Sequence, residues 1–134
     1  MWQVGNIPNM SEHRLPHDRH SVPMARSMAS DAVGDRLRPT ERDKFVLMVS
    51  ELVSNAIRHA QPGPDGQIVL QLDVDDVAAR AVVLDGGRRF DFEHATFDPR
   101  TPHFGLTLVD QLASRWGLAL DGEKAVWFDL EQGR

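Results

Sequence analysis

The sequence predicts an α+β two-layer sandwich, in which helices pack on one face of a mixed, mostly antiparallel sheet. Three observations lead to this prediction. Two amphipathic helical segments come first, two apolar segments with strand character follow around a short turn, and a third helix and a hairpin close the chain. Because helices and sheets each bury one apolar face, this order favours two layers around one core.

Size and charge limit the possible classes of protein. The chain has 134 residues, no cysteine and a formal net charge of −5. This length suits one domain, which we expect over residues 12–134, after a flexible tail over residues 1–11. An acidic protein without a long apolar run is not expected to bind nucleic acid or a membrane directly. The N-terminus lacks the layout of a signal peptide, which favours a cytoplasmic protein. His13, His17 and His20 are spaced like metal ligands on a helix, but no acidic partner lies among them, so they are interpreted as a surface or tail cluster rather than as a zinc site.

The first half of the chain predicts one edge strand and two helices. The strand is expected over residues 12–17, and Ser21 is expected to cap a helix that ends at Gly34. A second helix begins at Pro39 and stops near Gln61, where two prolines and a glycine follow. The inner face of this second helix has 3.6-residue spacing and consists of Phe45, Val49, Leu52, Val53, Ala56 and Ala60.

Two strands and a long loop are expected in the middle of the chain. The strands cover residues 68–74 and 79–84 and are joined by a short turn at Asp75 and Asp76. Residues 86–104 have charges, prolines and no clear period. Loops this long in compact domains are usually functional or disordered.

The end of the chain predicts a third helix and a hairpin. The helix is expected from Gly105 to Gly117, with Trp116 on its inner face. Strands over residues 118–120 and 125–130 are expected to form the hairpin, because an Asp-Gly pair between them favours a tight turn.

A polar seam follows the second helix. On a helical wheel, Glu51, Asn55 and His59 lie at the border of the apolar face, at positions i, i+4 and i+8. A carboxylate and a carboxamide there could hold a divalent cation and orient a water or a hydroxyl, because magnesium prefers hard oxygen ligands. The spacing taken alone favours the alternative, which is a solvated flank of the helix.

Two further sites in the sequence suit a nucleotide. Asp85 follows an apolar strand and could accept a hydrogen bond from an exocyclic amine, while Gly87 lets a flat base approach the backbone. Gly105 begins a helix whose free amides and positive dipole end suit phosphate. Each feature by itself is equally consistent with an ordinary turn or helix end.

Together these segments resemble the GHKL ATPase superfamily. Residues 51–60 match its N box, Asp85-Gly86-Gly87 its G1 box, and residues 105–110 its G2 box, in that order. The resemblance extends from about residue 14 to residue 130 and implies the Bergerat, or histidine kinase-like ATPase, fold. It is closest to the small SpoIIAB/RsbW-like branch, the anti-sigma factor serine/threonine kinases.

The resemblance implies roles for individual residues. Glu51 would be the catalytic base, Asn55 the magnesium ligand and Asp85 the acceptor for the adenine amino group. Residues 86–104 would form a lid over ATP. With ATP and Mg²⁺ as cofactors, the expected cofactor-binding residues are Asn55, Asp85, Gly87, Arg100, Gly105, Leu106 and Thr107.

The resemblance also implies partners. Such a kinase phosphorylates a STAS-type anti-sigma antagonist, sequesters a sigma factor and commonly forms a homodimer. Arg89 and His103 stand where the family has glycines, and Ala125 stands where it commonly has threonine. These departures keep open an alternative: a binding module of the same fold that sequesters a partner, with or without nucleotide. The detached catalytic domain of a two-component histidine kinase is less favoured, because no segment resembles a dimerisation helix with a phosphoacceptor histidine.

Overall fold

The computed structural model describes residues 10–59, 66–84, 106–119 and 125–133. The strands and helices in chain order are β1 (Ser11–Pro16), α1 (Ser21–Val33), α2 (Pro39–His59), β2 (Gln67–Val74), β3 (Ala78–Leu84), α3 (Leu106–Leu112), β4 (Arg115–Ala119) and β5 (Ala125–Glu131). The strands form one sheet in the order β1-β2-β3-β5-β4, and every neighbouring pair is antiparallel. The predicted α+β sandwich is therefore confirmed.

The core lies between the sheet and the helices. Alternate residues of β5 pack with the helices, and the rings of Phe45 in α2 and Phe128 in β5 meet edge to face at a centroid distance of 5.5 Å. A second, smaller cluster on the opposite sheet face contains Val69, Val82, Leu84 and Ala125, with Met10 and Trp127 packed against it. None of the described helices combines the length and the apolar character that crossing a bilayer requires.

The beginning of α1 differs from the prediction. Ser21 is the first helical residue rather than the cap, and its hydroxyl donates to the carbonyl oxygen of Pro16 at 2.5 Å. His20 is the N-cap residue and makes no side-chain capping bond. The carboxylate of Asp18 accepts the His20 amide and its carbonyl oxygen accepts the Ser21 amide. A turn closed by Asp18, rather than a serine cap, therefore leads into the helix.

The end of α3 also differs. The helix ends at Leu112, and Trp116 and Gly117, which were expected in its last turn, belong to β4. Pairing with β5 outweighs the helical period, because Ser114 donates its amide to the Asp129 carbonyl and its hydroxyl accepts the Glu131 amide. Trp116 still packs against the core, as predicted, but it does so from a strand.

Gly117 has a steric reason to be glycine. A Cβ atom at this position would lie 3.3 Å from the ring of Trp127 on the neighbouring strand. The Trp127 ring crosses β4 at this point, and the guanidinium of Arg80 lies over it at 5.6 Å from the ring centroid. Gly117 was expected to end a helix. It instead lies in a strand, where its lack of a side chain leaves room for the Trp127 ring.

The turn between β2 and β3 forms where the sequence predicts it. One carboxylate oxygen of Asp75 accepts the amides of Val77 and Ala78, at 2.7 and 2.8 Å. The hydrogen bond from Ala78, then that from Val77, lowers the pKa of Asp75 below its ordinary value of 3.8, and the charge of Arg36 adds to this. Since the folded-state pKa is depressed, the stabilisation is present above the unfolded pKa and is lost as the pH falls through the folded one.

Replacing Asp75 by Ala should therefore destabilise the protein at neutral pH but not at strongly acidic pH. We expect a loss of about 1 kcal/mol in the free energy of unfolding, because two exposed hydrogen bonds to a charged group are removed. Urea titrations at pH 7 and pH 2 measure this difference. Asp76→Ala, which removes the neighbouring carboxylate, is the matched control, and an equal loss at both pH values would contradict the assignment.

Candidate functional site

Helix α2 carries the two residues that the sequence marks for chemistry, and its packing fixes their positions. The helix begins at Pro39, has Glu41 in its first turn and extends for 21 residues. It contacts α1, α3, β3 and β5. Six of its apolar side chains are buried: Phe45, Met48, Val49, Leu52, Val53 and Ala56. A helix held on several sides presents its polar groups with little freedom, which suits a binding site.

Asn55 is the most informative residue of this helix. Its side chain is 0% exposed, and neither Oδ1 nor Nδ2 has a hydrogen-bond partner among the described residues. A buried polar group without a partner costs about 1–3 kcal/mol, so buried amides in native proteins are almost always paired. A ligand that pairs with this amide would explain why Asn55 occupies the position.

The prediction that Asn55 lies at the border of the apolar face is wrong in this detail. The helical wheel assumed that α2 buries a single stripe against the sheet. In the structure α2 also packs against α1 and α3, so its buried arc is wider and includes Asn55.

Glu51 lies one helical turn before Asn55 and is half-buried. Residues four apart on a helix are neighbours, with Cβ atoms about 5–6 Å apart. Glu51 has no ion-pair partner among the described residues. A half-buried carboxylate one turn from a buried amide can accept a proton or a hydrogen bond, as a catalytic base requires.

The start of α3 lies against the same helix. Leu106 and Thr107 are its first two residues; Leu106 is buried in the main cluster and Thr107 is half-buried. The first amides of a helix have no partner within it and can donate to an external acceptor. The contact between α2 and α3 therefore brings Leu106 and Thr107 to the helix that bears Glu51 and Asn55.

Several predicted site residues lie outside the described residues: Asp85, Gly87, Arg100 and Gly105. The described chain stops at Leu84, the last residue of β3, and resumes at Leu106. The structure thus brings together the parts of the site on α2 and α3. It leaves the roles of the other four residues as predictions.

His17 is a neighbour of the site that the sequence did not reveal. It was interpreted as part of a surface cluster, but its ring Nε2 lies 3.1 Å from the carbonyl oxygen of Ala56, the residue after Asn55. Its amide also donates to the Gly66 carbonyl at 2.9 Å. His17 thus joins the end of β1 to the last turns of α2. Because this contact links residues 39 positions apart, no local pattern could have indicated it.

A model of the histidine kinase-like ATPase domain family matches residues 15–128. The match covers most of the chain and includes α2, α3 and most of the sheet. The chain belongs to this family. A comparison with the curated proteins finds no match. An ATPase domain of this kind implies ATP binding. Asn55 lies in the segment that resembles the N box, and its buried amide, which has no partner among the described residues, fits a ligand there.

Ala125, which replaces the threonine common in this family, lies away from α2. Val126, Phe128 and Leu130 of β5 pack on the helix side, whereas Ala125 belongs to the cluster on the opposite face of the sheet. Its side chain is 2% exposed and packs among apolar groups. The replacement therefore removes no hydroxyl from the helix side, where Asn55 lies.

Proposed function

We propose that the protein is a cytoplasmic, ATP- and magnesium-dependent serine/threonine protein kinase of the anti-sigma type. The observation that carries the proposal is the fully buried amide of Asn55, which lacks a hydrogen-bond partner among the described residues and stands one turn after the half-buried Glu51. Magnesium prefers hard oxygen ligands, such as the amide oxygen of Asn55. A hydroxyl that accepts a phosphoryl group needs a nearby base, such as the carboxylate of Glu51. Membership of the histidine kinase-like ATPase family supports the nucleotide.

Each described residue has a role in this proposal. Oδ1 of Asn55 would hold magnesium, and the amides of Leu106 and Thr107 would donate to phosphate oxygens. Bound ATP with magnesium supplies the γ-phosphoryl group and neutralises its charge. Glu51 would take the proton of a substrate hydroxyl as that oxygen bonds to the γ-phosphorus, while the bond from phosphorus to the β–γ bridging oxygen breaks and ADP leaves.

The proposed substrate is a serine or threonine of a STAS-type anti-sigma antagonist, and the proposed second partner is a sigma factor held by direct contact. The resemblance of residues 51–60 and 105–110 to the anti-sigma kinase branch supports both. A homodimer is part of the same proposal. In this arrangement, transfer of phosphate to the antagonist controls how much sigma factor stays bound.

Label transfer tests the kinase. The full chain, incubated with γ-labelled ATP, magnesium and a STAS-type antagonist that binds it, is expected to label the antagonist. Chelation of magnesium should abolish the label. Absence of label on an antagonist that is shown to bind would overturn the kinase, while leaving ATP binding to be measured separately.

A second candidate, a binding module that sequesters its partner without phosphoryl transfer, is supported by Arg89 and His103. Both replace glycines in the segments that would surround the phosphates. Calorimetric titration with ATP and magnesium separates the candidates when it is combined with the label assay. Heat of binding without label favours a nucleotide-gated module. No heat and no thermal stabilisation favours a module that works without nucleotide, because a ligand of the native state must raise Tm.

A further inference from the structure

A cavity of about 400 Å³ lies at the end of α2 remote from Asn55. It forms where the connection between α1 and α2 meets the C-terminal residues, and it is lined by Gly34, Asp35, Arg36, Leu37, Arg38, Pro39, Arg42 and Gln132. Arg42 and Asn55 are separated by about 20 Å along the helix, from a rise of about 1.5 Å per residue. This cavity, the arginine groove, is therefore distinct from the proposed nucleotide site.

The three arginines of the groove are held by neutral acceptors. Arg42 Nη2 donates to the hydroxyl of Ser30 in α1 at 2.7 Å, and Arg38 Nη2 donates to the carbonyl oxygen of Gly133. Arg36 Nη1 donates to the Val74 carbonyl. A guanidinium has five donor hydrogens, and none of these three is in an ion pair among the described residues. Each guanidinium is therefore bonded to a neutral group, and its charge is not neutralised by an ion pair among the described residues.

The charge of the groove is opposite to that of the whole molecule. Asp35 is the single carboxylate among its lining residues, whereas the protein has a net charge of −5. Arg36 is partly engaged, because its charge contributes to the lowered pKa of Asp75. Arg38 and Arg42 are therefore the main cations available to a ligand. An acidic ligand would be repelled by the rest of the surface and directed to this place.

We propose that the arginine groove binds an acidic segment of a partner protein, with separate carboxylates on Arg38 and Arg42. The two guanidiniums are bonded to different elements, that of Arg42 to α1 and that of Arg38 to the C-terminal residues. They therefore suit two carboxylates along a peptide better than one compact phosphate. Planar guanidinium and carboxylate groups form charge-assisted pairs of defined geometry. The cavity is at the small end of the range for ligand sites, so it holds a few side chains.

Fluorescence anisotropy with a fluorescein-labelled octaglutamate peptide tests the groove on the full chain. We expect saturable binding that weakens as salt is added, because exposed charges are screened. The double substitution Arg38→Gln/Arg42→Gln should lower the affinity about tenfold, because two charge-assisted hydrogen bonds that are each weakened by exposure to water are lost. Arg19→Gln/Arg26→Gln, with the same charge change at exposed positions outside the groove, should leave the affinity within about twofold.

Circular dichroism and thermal melts establish that each variant is folded. Arg42→Gln alone serves as a second variant, since it removes one exposed bond and leaves the Arg38 contact with Gly133 in place. Equal weakening in the control pair would overturn the groove as the binding site. Displacement of the labelled peptide by inorganic phosphate as effectively as by unlabelled octaglutamate would overturn the peptide in favour of a phosphate site. Neither result depends on ATP, so the test is independent of the proposed kinase.

Discussion

Glu51→Gln is expected to lower the rate of label transfer to the antagonist by about 10²–10⁴-fold, the range typical of a general base. The change keeps the size and hydrogen-bonding reach of the side chain but removes the charge that accepts a proton. Because Glu51 is half-buried and one turn before Asn55, we expect the loss to appear in turnover. ATP affinity, measured by calorimetry, should change by less than about threefold, since Asn55 and the start of α3 are untouched.

Glu41→Gln is the matched control. Glu41 lies in the first turn of the same helix, where it pairs with Lys44 at 3.7 Å, and its replacement changes the net charge equally. Its label transfer should stay close to that of the original protein, because Glu41 lies about 15 Å along the helix from Glu51, at a rise of about 1.5 Å per residue. Retention of label transfer by Glu51→Gln would remove Glu51 from the chemistry. Loss of ATP binding in that variant would instead assign Glu51 to the binding of nucleotide.

The sequence predicted the sheet well because its strands have strong local signals. The turn at Asp75 and the apolar residues on either side predict both strands and their pairing, and the structure has them within one residue. The predicted boundary between α3 and β4 is wrong for a physical reason. Residues 113–117 satisfy a helical period, but hydrogen bonds to β5 and the packing of the Trp127 ring against Gly117 decide their conformation. Those contacts come from residues that follow later in the chain.

The sequence was sufficient to select the candidate residues on α2, but not to predict how deeply they are buried or which residues contact them. The spacing of Glu51 and Asn55 is visible in the sequence, whereas the burial of Asn55 depends on α2 being packed on several sides. His17 reaches Ala56 from the end of β1, and only the pairing of β1 with β2 brings it there. The arginine groove joins residues near 36 to residue 132, a contact that no local pattern indicates.

Asn55→Leu should stabilise the protein without nucleotide and remove its response to ATP. Leucine has the same branching and number of non-hydrogen atoms as asparagine, so it fills the site without leaving two buried polar atoms unpaired. Removing that cost should raise the free energy of unfolding by about 1–3 kcal/mol, which corresponds to a rise in Tm of roughly 3–10 °C for a domain of this size. Thermal unfolding followed by circular dichroism measures the change.

The response to ATP separates a binding residue from a core residue. Magnesium and ATP at 100 times Kd should stabilise the original protein by about 2.7 kcal/mol, and this gain should vanish in Asn55→Leu. Gln71→Met is the control, because Gln71 also has a buried oxygen without a partner among the described residues but lies on β2, bonded to Glu12 of β1. Its ATP response should be retained.

A fall in nucleotide-free stability on Asn55→Leu would mean that the amide is paired within the folded chain. Stabilisation by ATP in that variant would place the nucleotide elsewhere. Gain of stability together with loss of response is the outcome that only a buried ligand-binding amide explains, because its unpaired atoms cost stability until the ligand pairs them.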